Sequence, residues 1–168
     1  YAECSGADFT NAFLETASLQ GTRLVQANLQ GATLNQANLT GADLTEANLK
    51  YAYLLQATLS ESILVGMVFS GADLADTDLR GFVLPGQDLS NLNLSRADLS
   101  NANLAGADLT YSNLYRATLT GANLKGANLA WANLEGALFN EADLSEANLN
   151  RTHARGTSFQ RTTLNQAN

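Results

Sequence analysis

A leucine recurs at every fifth residue without a slip. Among residue numbers ending in 4 or 9, from Phe9 to Leu164, there are 32 positions. They hold 27 Leu, four Phe (Phe9, Phe69, Phe139, Phe159) and Ala154, and Cys4 extends the series backward. Two residues earlier, 23 of 34 positions are Ala, and Thr22, Ser62, Thr77, Ser112, Thr152, Thr157 and Thr162 keep most of the rest small. The residue between these two slots is Asp or Asn in 19 of 34 cases, and all 13 glycines have numbers ending in 1 or 6. A period of five fits neither helical spacing nor simple alternation over a whole strand. It fits a short extended segment followed by a turn. Ala and Leu, two apart, face inward, and Asp/Asn between them faces out.

Glycine's confinement to one slot identifies the turn. A type II turn requires positive φ at its third residue, which Gly adopts at least cost. The one proline agrees, since Pro85-Gly86 is a favoured middle pair for that turn. If each turn bends the chain by about 90°, four repeats close a coil of twenty residues, and coils stack about 4.8 Å apart. The sequence then predicts an all-β, four-sided parallel solenoid of about eight coils, some 40 Å long, with Leu stacked on Leu inside. Residues 1–168 read as one domain. An irregularity or block junction is expected near 82–92, where Phe82, Gln87 and Leu92 take the small slot; Met67 does so one coil earlier. These coils should be wider or distorted. The coil around Ala154 should be the weakest.

The repeat, seen in GADLTEANLK, RADLSNANLAGADL and GANLKGANLAWANLE, resembles that of the pentapeptide-repeat family. The resemblance implies a right-handed quadrilateral parallel β-helix with a dry interior. The family is bacterial in large part and abundant in cyanobacteria. One subset protects type II topoisomerases such as DNA gyrase: acidic rods that mimic DNA and dimerise end to end.

The residues themselves point away from catalysis. His153 is the single histidine and lies in an outward slot beside Arg151 and Arg155. Cys4, in a core slot, reads as a small buried hydrophobe. Asp88 and Asp108, like Asp78 and Asp98, are twenty apart and should stack, but their slot takes Asn equally, which indicates hydrogen bonding and not proton transfer. No enzyme activity, cofactor or metal site is expected. No transmembrane or signal segment is read, and a cytoplasmic location is favoured.

Function should therefore lie on the outer surface. The net charge of −7 disfavours direct binding to nucleic acid or an anionic membrane. Asp73, Asp76, Asp78, Asp88, Asp98 and Asp108 form the densest acidic run and are the candidate partner surface. Tyr111 and Trp131 should share one edge with Tyr51, and Val25, Ile63, Val65 and Val83 lie in outward slots. The expected function is a non-enzymatic scaffold presenting flat faces to a protein partner. The alternative is a DNA mimic that binds DNA gyrase. Phe159 and Leu164 in the last coil suggest homo-association through coil ends.

Overall fold

The computed structural model describes residues 2–168. It divides into two compact units, Tyr1–Asp78 and Leu79–Asn168, here units 1 and 2. In each unit the residue at the centre of every side pairs in parallel with the residue twenty positions on. Phe13, Thr33, Tyr53 and Asp73 form one such series in unit 1; Asn93, Asn113, Asn133 and His153 form one in unit 2. Twenty residues thus make one coil, and five make one side. Pairing is through single residues, because each side is too short for a longer strand.

The repeat Asn103–Ala107 shows how five residues satisfy five N–H groups. Asn103 N donates to Phe82 O (2.7 Å), Leu104 N to Asn123 O (2.7 Å) and Gly106 N to Lys125 O (2.8 Å), all between coils. Ala107 N closes the turn on Leu104 O (3.0 Å). Ala105 N, the fifth donor, is bonded by the side chain of Asn103 (Oδ1, 3.2 Å). Asp and Asn both fill this role, as at Asp43 with Thr45 N (3.1 Å) and Asn38 with Thr40 N (3.0 Å). An unpaired backbone donor is costly, so the Asp/Asn slot belongs to the fold before it belongs to any surface function.

The turns are as the glycine slot predicts. Every residue numbered with a terminal 1 or 6, from Gly6 to Gln166, has φ between +55° and +72°, while its predecessor does not. That is the type II pattern. Twenty of these residues are not glycine, and they include Thr16, Tyr51, Tyr111 and Trp131. The coil therefore imposes the left-handed conformation on side chains that disfavour it.

Core packing follows the slots. Leu24 to Leu59 are fully buried in unit 1, as are Leu104 to Leu144 in unit 2, with Ala filling the gaps beside them. Turn closure is shortest where Ala fills the slot, and the longer closures are shared by large occupants and by Thr, since Thr77, Thr152, Thr157 and Thr162 also close at 3.3 Å. Ala turns close at 2.7–3.1 Å, whereas Met67, Phe82 and Gln87 close at 3.3, 3.3 and 3.4 Å. Burial thins in the outermost coils. Cys4 is only half-buried, which corrects the expectation of a buried thiol: its side chain has a stacked neighbour on one side only within the described residues. Ala154 and Leu164 are exposed, and Phe159 is half-buried, stacked on Phe139 at 5.4 Å between centroids. Thr157 and Thr162 tie this last coil back through hydroxyl bonds to Leu134 O (2.7 Å) and Phe139 O (2.6 Å).

Candidate protein-interaction surface

On each five-residue side the residues that point outward are those at the first, third and fifth positions, such as Tyr51, Tyr53 and Leu55. Only these can meet a partner. The six aspartates singled out from the sequence are scattered among such positions. In unit 1, Asp73 lies in the Phe13 series, Asp78 in the Ser18 series, and Asp76 on the corner before Asp78. In unit 2, Asp88 and Asp108 pair on one side and Asp98 lies on another.

These aspartates mostly serve their own turns. Asp73, Asp88 and Asp108 accept from Ala75 N, Ser90 N and Thr110 N at 3.0–3.1 Å. Asp98 accepts from both Ser100 N (3.0 Å) and Ser100 Oγ (2.5 Å), with Arg80 Nε 3.7 Å from its other oxygen. A hydroxyl two residues on holds Asp8 (Thr10), Asp43 (Thr45) and Asp143 (Ser145) below the ordinary carboxylate range, and Ser5 does the same for Glu3. Each of these hydroxyls bonds to the ionised form and so favours it.

Aromatic residues, in contrast, are concentrated. Among the described residues of unit 1, the outward aromatics are Phe13 (90% exposed), Tyr51 (60%) and Tyr53 (53%). All three are on the side built around Phe13, Thr33, Tyr53 and Asp73. In unit 2 they are Tyr111, Tyr115 and Trp131, all on the side built around Asn93, Asn113, Asn133 and His153. The other three sides of each unit have no outward aromatic among the described residues. Chance would scatter them.

Local contacts hold these rings in place. Tyr111 and Trp131 stack at 6.0 Å with 13° between their planes, as their shared slot predicts, and the Arg151 guanidinium lies 4.6 Å over the Trp131 ring. Arg116 lies 5.1 Å over Tyr115. Asn133 and Asn113 form an amide ladder beside the stack, Nδ2 to Oδ1, at 3.1 and 3.2 Å. In unit 1, Tyr51 leans over the next coil at Gly71, where a Cβ would lie 2.6 Å from its ring. Gly71 thus serves two needs, positive φ and room for the neighbouring ring. Sequence reasoning found the Tyr51, Tyr111 and Trp131 edge but missed Phe13, Tyr53 and Tyr115. Sorting residues by position within twenty, and not within five, would have brought the three of each unit together.

His153 is exposed in the row with Arg151 and Arg155. Among the described residues, no three His, Cys, Asp or Glu side chains are grouped to hold a metal ion, and no helix is long and apolar enough to cross a membrane.

Eight copies of the family described as pentapeptide repeats match the chain, the first at residues 1–36 and the last at 127–166. The chain is similar to HetL, a pentapeptide repeat protein involved in heterocyst differentiation regulation, from the cyanobacterium Nostoc sp. strain PCC 7120. The two are 30% identical over 97% of this chain and 85% of HetL, with a TM-score of 0.65. It is similar also to the pentapeptide repeat protein Rfr23 from the cyanobacterium Cyanothece 51142, at 29% identity over 84% of this chain and 90% of that one, TM-score 0.45. QnrB1, a plasmid-mediated fluoroquinolone resistance protein, shares the fold at 16% identity over 94% and 91% of the two chains, TM-score 0.52. No curated protein matches the sequence. The unbroken five-residue period, the turn at every fifth residue and the matched repeats together establish that the chain belongs to the pentapeptide-repeat family.

Proposed function

We propose that the chain is a non-catalytic scaffold, a right-handed four-sided solenoid that binds a protein through one aromatic side of each unit. The right hand is the one that membership of the pentapeptide-repeat family implies, and the general preference of parallel β connections for right-handed crossing supports it. The observation that carries the reading is the gathering of Phe13, Tyr51 and Tyr53 on one side of unit 1, and of Tyr111, Tyr115 and Trp131 on one side of unit 2. Exposed aromatics gain much by burial, and Tyr, Trp and Arg are the residues that dominate protein interfaces. The likeness to HetL is consistent with a regulatory scaffold. A photo-crosslinking phenylalanine analogue placed at Tyr53 or Trp131, in cells of the source organism, should trap protein adducts. The same probe at Thr58, on another side, should not. Equal trapping from both positions would defeat the proposal.

A second reading, a DNA mimic that binds gyrase, draws on charge. Unit 1 holds nine acidic and two basic side chains, and unit 2 holds seven of each, so the whole formal charge of −7 belongs to unit 1. Salt-sensitive inhibition of gyrase supercoiling by the purified chain would support this reading, and no effect at micromolar concentration would dismiss it.

A further inference from the structure

Charge on the two aromatic sides suggests who the partner is. On the aromatic side of unit 1 the outward charged residues are Glu15 and Asp73, with no base. On the aromatic side of unit 2 the last outward row is Arg151, His153 and Arg155, and the outward acid is Glu135. Among the described residues neither Arg151 nor Arg155 is in an ion pair, whereas Arg23, Arg80, Lys125 and Arg161 each pair with a carboxylate. The Arg151 guanidinium sits 4.6 Å over the Trp131 ring, and the residue stays exposed to solvent.

We propose that the acidic aromatic side of unit 1 docks on the cationic aromatic side of unit 2 of a second copy of this chain. The inference rests on the reading of these sides as contact surfaces and adds the partner. Arg155 would meet Glu15, and the Arg151–Trp131–Tyr111 stack would pack against Phe13 and Tyr53. Guanidinium over an aromatic face and opposite charges at the rim both favour the contact. The backbone N–H groups of these sides are already bonded between coils, so recognition is by side chains and not by strand addition.

Sedimentation equilibrium of the full chain tests this, with circular dichroism confirming the fold of each variant. The wild-type chain should self-associate. Glu15→Arg and Arg155→Glu should each weaken association about tenfold, and the two together should restore it to within about threefold of wild type. Phe13→Ser with Tyr53→Ser should weaken it about a hundredfold. A wild-type chain that stays monomeric up to about 0.5 mM overturns the proposal, since affinity would be below a useful range. So does association that ignores these changes but is lost on Leu164→Asp, which would locate it at the coil end. A double charge reversal no better than either single one also overturns it. Adducts to other proteins from the Tyr53 probe, in a chain that stays monomeric, would leave the scaffold reading standing and remove only the second copy.

Discussion

Asn133 offers a direct test of the idea that the Asp/Asn slot supplies the fifth hydrogen bond of the repeat. The other four donors of its repeat bond to backbone: Asn133 N to Ser112 O, Leu134 N to His153 O, Gly136 N to Arg155 O and Ala137 N to Leu134 O, at 2.8–3.0 Å. Glu135 N depends on Asn133 Oδ1 (3.1 Å), and the amide Nδ2 also donates to Asn113 Oδ1 (3.1 Å). Asn133→Ala removes both side-chain bonds. At about 0.5–1.5 kcal/mol each, reduced by partial exposure, the loss should be about 1–2 kcal/mol. In a chain of this size that lowers Tm by roughly 2–8 °C. Asn133→Asp keeps the turn bond, because a carboxylate accepts from Glu135 N, but it cannot donate to Asn113. It should cost about half as much. Urea unfolding gives the energies, and hydrogen exchange reads the local event. The Glu135 amide should exchange several-fold faster in the Ala variant and at nearly the wild-type rate in the Asp variant. An Ala variant as stable as wild type, or an Asp variant as damaged as Ala with equally fast exchange at Glu135, would refute the reasoning.

Other expectations follow from the same geometry. Trp131→Ala should cost about 1–2 kcal/mol, since it loses the Tyr111 stack and the Arg151 contact yet keeps φ near +63°. Trp131→Gly should recover roughly 1 kcal/mol of that in urea unfolding by relieving the backbone. Gly71→Ala should destabilise more than Gly106→Ala, because a Cβ at Gly71 strikes the Tyr51 ring whereas one at Gly106 meets nothing within 4 Å. Adding Tyr51→Ser should bring the two to similar Tm values. Hydroxyl bonds lower the carboxyl pKa of Asp8, Asp43 and Asp143 in the fold. Their contribution is therefore complete above the unfolded value near about 4 and is lost as pH falls through the folded values. Thr45→Val, which removes the 2.6 Å bond to Asp43, should flatten this acid slope in a Tm-versus-pH series.

Much of the fold was legible because each slot answers to one strong physical demand. Leu fills the interior, Ala fits where space is narrow, and Gly accepts positive φ. Such demands show within a period of five. The burial of Cys4 was misjudged because the slot says where a side chain points but not whether another coil covers it. The surface was harder to read. Asp88 and Asp108 were included in the candidate partner surface, yet each bonds its own turn just as Asn38 does, as their slot had indicated. The acidic run from Asp73 to Asp108 is contiguous along the chain but divided among different sides within each unit. Phe13, Tyr53 and Tyr115 were missed because nothing within a single repeat distinguishes the side they occupy. That information has a period of twenty.

The nesting of five within twenty restricts how such a chain can change in length. One residue added inside a unit would push the following leucines out into water and turn aspartates inward until the phase is restored. Five added residues would keep inside and outside correct but rotate every later residue to the neighbouring side, and placed between Tyr111 and Trp131 they would part that stack. Only a whole coil preserves both. A lineage of this kind can change by substitution at outward positions within the limits the turn sets, yet it grows or shrinks most safely in steps of twenty. An engineer who wants to lengthen either unit without disturbing what its sides display should splice in the same increment.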